Sequence, residues 1–272
     1  MRDALYLRRC GAGGSAERRF NEMRARWWKR VRFRATTPLA VVGAALLIGA
    51  LIFRSVLPEF LIGVALGAVF AMYIWVTEAP PPRIEQWRTG YEGEQKTARR
   101  LAQLRREGYE LFHDLSDRLD DQPSASNVDH VVVGPTGVWL IDTKWLSGTV
   151  HLDGDIVEVT NVDWPEDMCR LERLLPAMRG RAARLCEDIG PVNGRRPFVN
   201  SVLVFWNDVV GAPIEADRVV LLRADELASR ILESGDVRLS ADAVAEIASR
   251  IRATRHPRTD VGLASKPPTA TV

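Results

Sequence analysis

Residues 127–145 read Asn-Val-Asp-His-Val-Val-Val-Gly-Pro-Thr-Gly-Val-Trp-Leu-Ile-Asp-Thr-Lys-Trp. Two short apolar runs flank a Gly-Pro-Thr-Gly turn, the pattern of an antiparallel hairpin. Pairing Gly134 with Gly137 sets Asp129 opposite Asp142 and Asn127 opposite Lys144. Directly opposed residues lie about 4.5–5.5 Å apart at Cβ, and like charges so placed destabilise a sheet. Asp142 and Lys144 are two apart on one strand, so they project from the same face. Two facing carboxylates then require a cation between them or a shared proton, and a divalent metal beside Lys144 meets that need. The alternative is a buried ionic network in which both aspartates bracket Lys144 and Asn127.

Both faces of the hairpin are apolar, with Val131, Val133, Val138 and Leu140 on one and Val128, Val132, Trp139 and Ile141 on the other. A strand pair of this kind sits inside a sheet covered above and below. Upstream, an amphipathic helix is expected from near Gly90 or Tyr91 to Glu107, and a strand over Tyr109–Leu115. The polar stretch 114–126 reads as a loop. Downstream, Gly148–Leu152 and Ile156–Thr160 form a second hairpin through Asp153-Gly154. Glu166–Ile189 has helical composition, with Pro176 kinking or splitting it. Phe198–Trp206 and Arg218–Arg223 read as strands, Asp225–Glu233 and Ala241–Ala253 as helices, and the Pro/Thr-rich tail from His256 as disordered. This order predicts an α/β fold with a central mixed β-sheet flanked by helices.

The formal net charge of +2 conceals an asymmetry. Residues 1–36 hold eleven Lys/Arg against three acids, a net of +8; the remainder has 26 basic and 32 acidic residues, a net of −6. Two uncharged runs of 18 residues follow the basic arm, Thr36–Phe53 and Phe60–Thr77. Each is about 27 Å long as a helix, close to the thickness of a bilayer core. They read as a transmembrane hairpin with N- and C-termini cytoplasmic by the positive-inside rule. A buried helical hairpin of a soluble protein is the other reading. Gly63, Gly67 and Ala71 give a small-residue face for contact within the hairpin or in a homodimer. The three cysteines lack metal-type spacing and read as reduced thiols. The chain thus divides into a basic cytosolic arm (1–35), a transmembrane hairpin (36–78), a Pro-rich linker (79–88), a catalytic-type domain (89–254) and a tail (255–272).

An Asp…Asp-x-Lys set is what metal-assisted phosphodiester hydrolysis requires: two carboxylates for Mg²⁺ or Mn²⁺, and a lysine to offset charge developing on the phosphate. Gly90-Tyr-Glu-Gly-Glu94 at a helix start, Asn127-Val-Asp-His130, Val133-Gly-Pro-Thr-Gly-Val138 and Ile141-Asp-Thr-Lys144 with Gly148 resemble the NERD, or nuclease-related, domain over roughly residues 88–205. That family is placed with the PD-(D/E)xK nucleases, which have a restriction-endonuclease-like core. The resemblance implies Asp129 and Asp142 as metal ligands, Lys144 as the catalytic lysine and Glu94 as an accessory carboxylate. Two departures stand out. Asp142 replaces the usual glutamate. No glutamine lies on the following helix, where only Arg179, Arg181 or Arg184 could stand. His130, Trp139 and Trp145 read as packed core. Trp206 also reads as buried, and Arg99, Arg100, Arg105 and Arg106 as a solvated helix face.

Two functions follow. One is a membrane-anchored, metal-dependent nuclease acting on nucleic acid, DNA before RNA, at the cytosolic face. The other is a catalytically weak or inactive membrane-anchored module that binds nucleic acid or acts as a scaffold, which the acidic body favours because backbone contacts need clustered Lys/Arg.

Overall fold

The computed structural model describes residues 14–52, 59–78, 82–116, 127–146, 148–160, 168–206, 213–234 and 238–255. The expected 114–126 loop and the tail from His256 fall largely or wholly outside them. Two compact units are present: one takes in Ala16–Arg88, and the other includes everything from Thr89 onward.

In the first unit, helix α1 runs unbroken over Gly14–Ile52 and helix α2 over Glu59–Glu78. The basic arm is therefore largely helical and continuous with the apolar run after it, as its Arg, Ala, Glu and Met content permits. Among the described residues no helix is long and apolar enough to cross a membrane. The transmembrane hairpin is thus unsupported there. Apolar side chains on both helices are nonetheless exposed, including Val41, Leu47, Ile48, Ile52, Val64, Phe70 and Met72.

Helix α3, Pro82–Leu101, starts about two turns earlier than the sequence implied. Pro82 is its first residue, where a missing N–H costs nothing and a fixed φ favours the helix, so the Pro-rich spacer shrinks. A 3-10 turn, Ala102–Glu107, continues α3 to Gly108, whose φ of 82° ends it.

The strands are β1 (Glu110–Ser116), β2 (Asn127–Gly134), β3 (Gly137–Lys144), β4 (Thr149–Asp153), β5 (Ile156–Thr160), β6 (Met168–Leu171), β7 (Val199–Phe205), β8 (Ile214–Ala216) and β9 (Val219–Arg223). The main sheet has the order β1-β2-β3-β7-β9-β8, with β3, β7 and β9 parallel and the other pairings antiparallel. The fold is the expected α/β class with a mixed central sheet. Strands β4, β5 and β6 form a separate antiparallel sheet. Helix α4 covers Leu174–Ile189, α5 Leu227–Glu233 and α6 Ala241–Thr254. Residues 168–171, expected as helix, are strand, and Pro176 sits in the first turn of α4, where backbone N–H groups have no helical partner to lose.

Each face of the central hairpin feeds its own core. Val131, Val133, Val138 and Leu140 join Leu203, Phe205 and residues of α4 and α6. Val132, Trp139 and Ile141 join Val202, Val204, Leu101, Leu104 and α5. Val128, expected with the second set, packs with the first. The β1–β2 ladder passes from His113↔His130 to Leu115↔Val128 without Asp114 and Asp129, and Asp114 has a φ of 51°. This irregularity switches the face.

The turn of the hairpin is locked from outside. Tyr109 covers Gly134 so closely that a Cβ there would lie 1.9 Å from a ring carbon. The Tyr109 hydroxyl and Trp139 Nε1 both meet Thr136 Oγ1, at 2.9 and 3.2 Å, and Thr136 donates to the Ile231 carbonyl at 2.8 Å. Leu239 N–H donates to the Pro135 carbonyl at 2.8 Å. Gly134→Ala is expected to destabilise the protein by about 2–3 kcal/mol through this overpacking, read by chemical denaturation; an unchanged midpoint would show that the ring yields freely.

Candidate functional site

The site forms where the dry central strands run out of apolar residues. The β2–β3 ladder extends from Gly134↔Gly137 to His130↔Ile141 and goes no further. Asp129 and Asp142 are therefore not a ladder pair, and Asn127 does not oppose Lys144. Asn127 pairs with Ser116 of β1 instead, and its Nδ2 donates to Asp114 Oδ1 at 3.0 Å. Beyond the ladder, Asp129 Oδ2 accepts from the backbone N–H of Thr143 at 2.9 Å. Its carboxylate thus takes a strand N–H at the point where the ladder stops.

Asp142 is buried and ion-paired with Lys144. Its other oxygen accepts from Arg181 Nη1 on α4 at 2.6 Å. Arg181 is one of the three arginines that the sequence offered in place of the missing glutamine, and it alone of them touches Asp142 among the described contacts. Burial works to raise the Asp142 pKa, but Lys144 and then Arg181 overcome it and hold the carboxyl below its ordinary value. Burial works against the Lys144 ammonium, and Asp142 followed by Asp129 more than restores it. The amine stays charged.

Asp129 and Glu94 carry the opposite imbalance. Burial, then the Asp142 charge, raises Asp129 from 3.8 to about 7, against weaker lowering by Lys144, the Thr143 N–H and Arg181. Glu94 on α3 is raised well above the ordinary value by burial, then by Asp129, Asp114 and Asp142. Its Oε2 is buried without a hydrogen-bond partner among the described residues. Glu94, Asp129, Asp142 and Lys144 thus share one electrostatic neighbourhood carrying more negative charge than its two cations neutralise. Asp114 belongs to it too, a member hidden in sequence because it stood at the edge of an apparent loop.

Residues 89–206 match the family model of the nuclease-related domain, NERD. No curated protein and no solved structure matches the chain significantly. The NERD match begins at the residue that opens the second unit and includes Glu94, Asp129, Asp142, Lys144 and Arg181.

Other residues fall as follows. His130 is buried and packed, as expected, with its Nδ1 2.7 Å from Nδ1 of His113. Burial depresses both imidazoles, His113 to about 4. Trp139 is core. Trp145 is not: it is half-buried and stacks on Trp206 beyond the strand ends. On α3, Gly93 packs against Thr143 and the Trp145 ring, which a Cβ at that position would meet at 3.3 and 3.4 Å.

A carboxyl raised in the folded state binds more protons there than in the unfolded chain. Its contribution is favourable below the unfolded value and is lost as pH rises through the folded one. For Asp129 that window is about 3.8 to 7. In EDTA, Asp129→Asn keeps an acceptor for Thr143 N–H and removes the charge. It is expected to be more stable than the parent at pH 8, on the order of 2 kcal/mol, with the gap closing toward pH 4. Thermal melts across that range check this, and a gap independent of pH would refute it.

Proposed function

We propose that the chain is a membrane-anchored, metal-dependent nuclease that hydrolyses phosphodiester bonds of nucleic acid, DNA before RNA, at the cytosolic face. The observation that carries this reading is the ion pair of buried Asp142 with half-buried Lys144, with Asp129 and Glu94 in its field, inside a nuclease-related domain.

The donor chemistry suits a divalent cation. Burial, then repulsion from neighbouring carboxylates, raises Asp129 and Glu94, and a cation would relieve that repulsion. Among the described residues no group of three or more His, Cys, Asp or Glu could hold a metal ion. The proposed ligands are two, Asp129 and Asp142, a set that suits Mg²⁺ or Mn²⁺, since Mg²⁺ takes one or two carboxylates and keeps several waters. Bound there, the ion would supply Lewis acidity toward a phosphoryl oxygen and toward water. Glu94, whose carboxyl is raised well above its ordinary value by burial and the neighbouring aspartates, takes the proton of the attacking water when ionised. Lys144, held as an ammonium, donates to the phosphoryl oxygen on which charge accumulates. The water oxygen bonds to phosphorus as the ester P–O bond breaks, giving a phosphomonoester and an alcohol with no covalent enzyme intermediate. Arg181 positions Asp142.

One observation favours the second reading, a binding or scaffolding module with little turnover. Both Asp142 oxygens are already engaged, by Lys144 and Arg181, so a cation must displace or share them. Mg²⁺-dependent nicking of plasmid or single-stranded DNA by the full chain decides between the two. We expect cleavage that EDTA abolishes and that Lys144→Ala lowers at least about 100-fold with circular dichroism unchanged. Equal cleavage by Lys144→Ala would sink the mechanism.

Membrane anchoring is supported by the two uncharged 18-residue runs, the +8 arm and the exposed apolar side chains of α1 and α2. Gly63, Gly67 and Ala71 offer a homodimer contact within the bilayer. The chain is expected to stay in the membrane pellet through an alkaline carbonate wash, and release into the supernatant would refute anchoring.

A further inference from the structure

Beside the carboxylate site, but outside it, lies an aromatic pair that the hydrolytic chemistry does not use. Trp145 follows Lys144 directly, and Trp206 follows the end of β7, the parallel neighbour of β3. Their rings stack with centroids 5.9 Å apart and planes 14° from parallel. The Lys96 ammonium lies over both, 4.1 Å from the Trp145 centroid and 5.5 Å from that of Trp206. Trp206 is fixed in place: its Nε1 donates to Thr97 Oγ1 at 2.9 Å, which also accepts from Thr143 Oγ1 at 3.0 Å. Trp145 is seated against Gly93. Both rings are half-buried.

A core has no need for such an arrangement. A lysine over two indoles holds a charge against apolar rings that are themselves only partly buried. Cation–π contacts range from about 0.5–1 kcal/mol at exposed sites to about 2 when desolvated, and at a partly buried one a phosphate can compete for the lysine. On α3, Arg99 and Arg100 stand three and four residues beyond Lys96, on the same side of the helix, and both are exposed. Aromatic rings beside a short basic stripe are what single-stranded nucleic acid uses. Bases stack on the rings whatever their identity, and the amines follow the phosphates.

We propose that Trp145 and Trp206 form a stacking platform for an unpaired base of a single-stranded segment, with Lys96 leaving the rings to meet a flanking phosphate. The proposal rests on the nucleic-acid reading above and names what it leaves open, the strandedness of the substrate. The platform adjoins Lys144 in sequence and Thr143 through the Thr97 bridge, so a base stacked there sets which phosphate reaches the carboxylates.

The test is equilibrium binding of the full chain to a fluorescein-labelled oligothymidylate in EDTA, followed by anisotropy so that cleavage plays no part. A matched oligonucleotide of abasic residues serves as the second probe. Trp206→Leu and Trp145→Leu are each expected to weaken oligothymidylate binding about 10-fold. Both should leave abasic binding unchanged, and Trp206→Phe should restore most of the loss. Lys96→Ala should weaken both probes. Equal affinity of the parent for the two probes, or no effect of either leucine variant on a correctly folded protein, overturns the platform and leaves the nuclease reading standing. Cleavage lost in Lys144→Ala but oligothymidylate binding kept separates the two sites. No binding of either probe by the parent overturns both proposals.

Discussion

The interaction on which the rest depends is the clasp of Asp142 by Lys144 and Arg181. The central strands are dry on both faces, so any charge at their ends is buried with them. A lone ionised carboxylate in such a place is prohibitively costly, and one held by an ammonium and a guanidinium is tolerated. The clasp joins β3 to α4 and fixes where the apolar sheet gives way to polar chemistry. Asp129 and Glu94 are buried beside that same negative charge, and burial first, then repulsion from the neighbouring carboxylates, raises both.

This imbalance is what favours the proposed site over a structural ion network. A network selected for stability alone would neutralise its carboxylates in pairs. Here burial and mutual repulsion raise Asp129 to about 7 and lift Glu94 well above the ordinary carboxyl value, shifts of the kind that cluster at functional sites. The same imbalance weakens the fold. Groups poised in this way are commonly destabilising, and their removal tends to stabilise.

Much of the fold was legible. The hairpin at 127–145 announced itself by two valine-rich runs around Gly-Pro-Thr-Gly, and its turn register was correct because a two-residue loop leaves little freedom. The site pairing inferred from that register was not, since the ladder stops at His130↔Ile141. A distortion at Asp114, invisible in a polar stretch that resembled loop, frees Asp129 to take the Thr143 N–H. Pro176 misled in the other direction, because a proline at the start of a helix and one in its middle look alike when the start is unknown. Arg181 was visible only as one of three candidates, since choosing among positions 179, 181 and 184 needs the rotation of α4 against the sheet. The Trp145–Trp206 stack joins residues sixty apart and required the parallel β3–β7 pairing to be known.

The locked turn has a consequence for where the domain ends. Thr136 and Pro135 are fastened to Ile231 and Leu239, and the core faces of β3 and β7 are completed by Leu221, Leu222, Ile231 and Ile247. All of these lie beyond residue 206, where the family match stops. A fragment trimmed to the matched boundaries would bare β7 as a naked sheet edge and strip the lid from both cores. In this chain the boundary of the family match and the boundary of the packed cores are different places, and the C-terminal helices are an integral part of the domain's architecture.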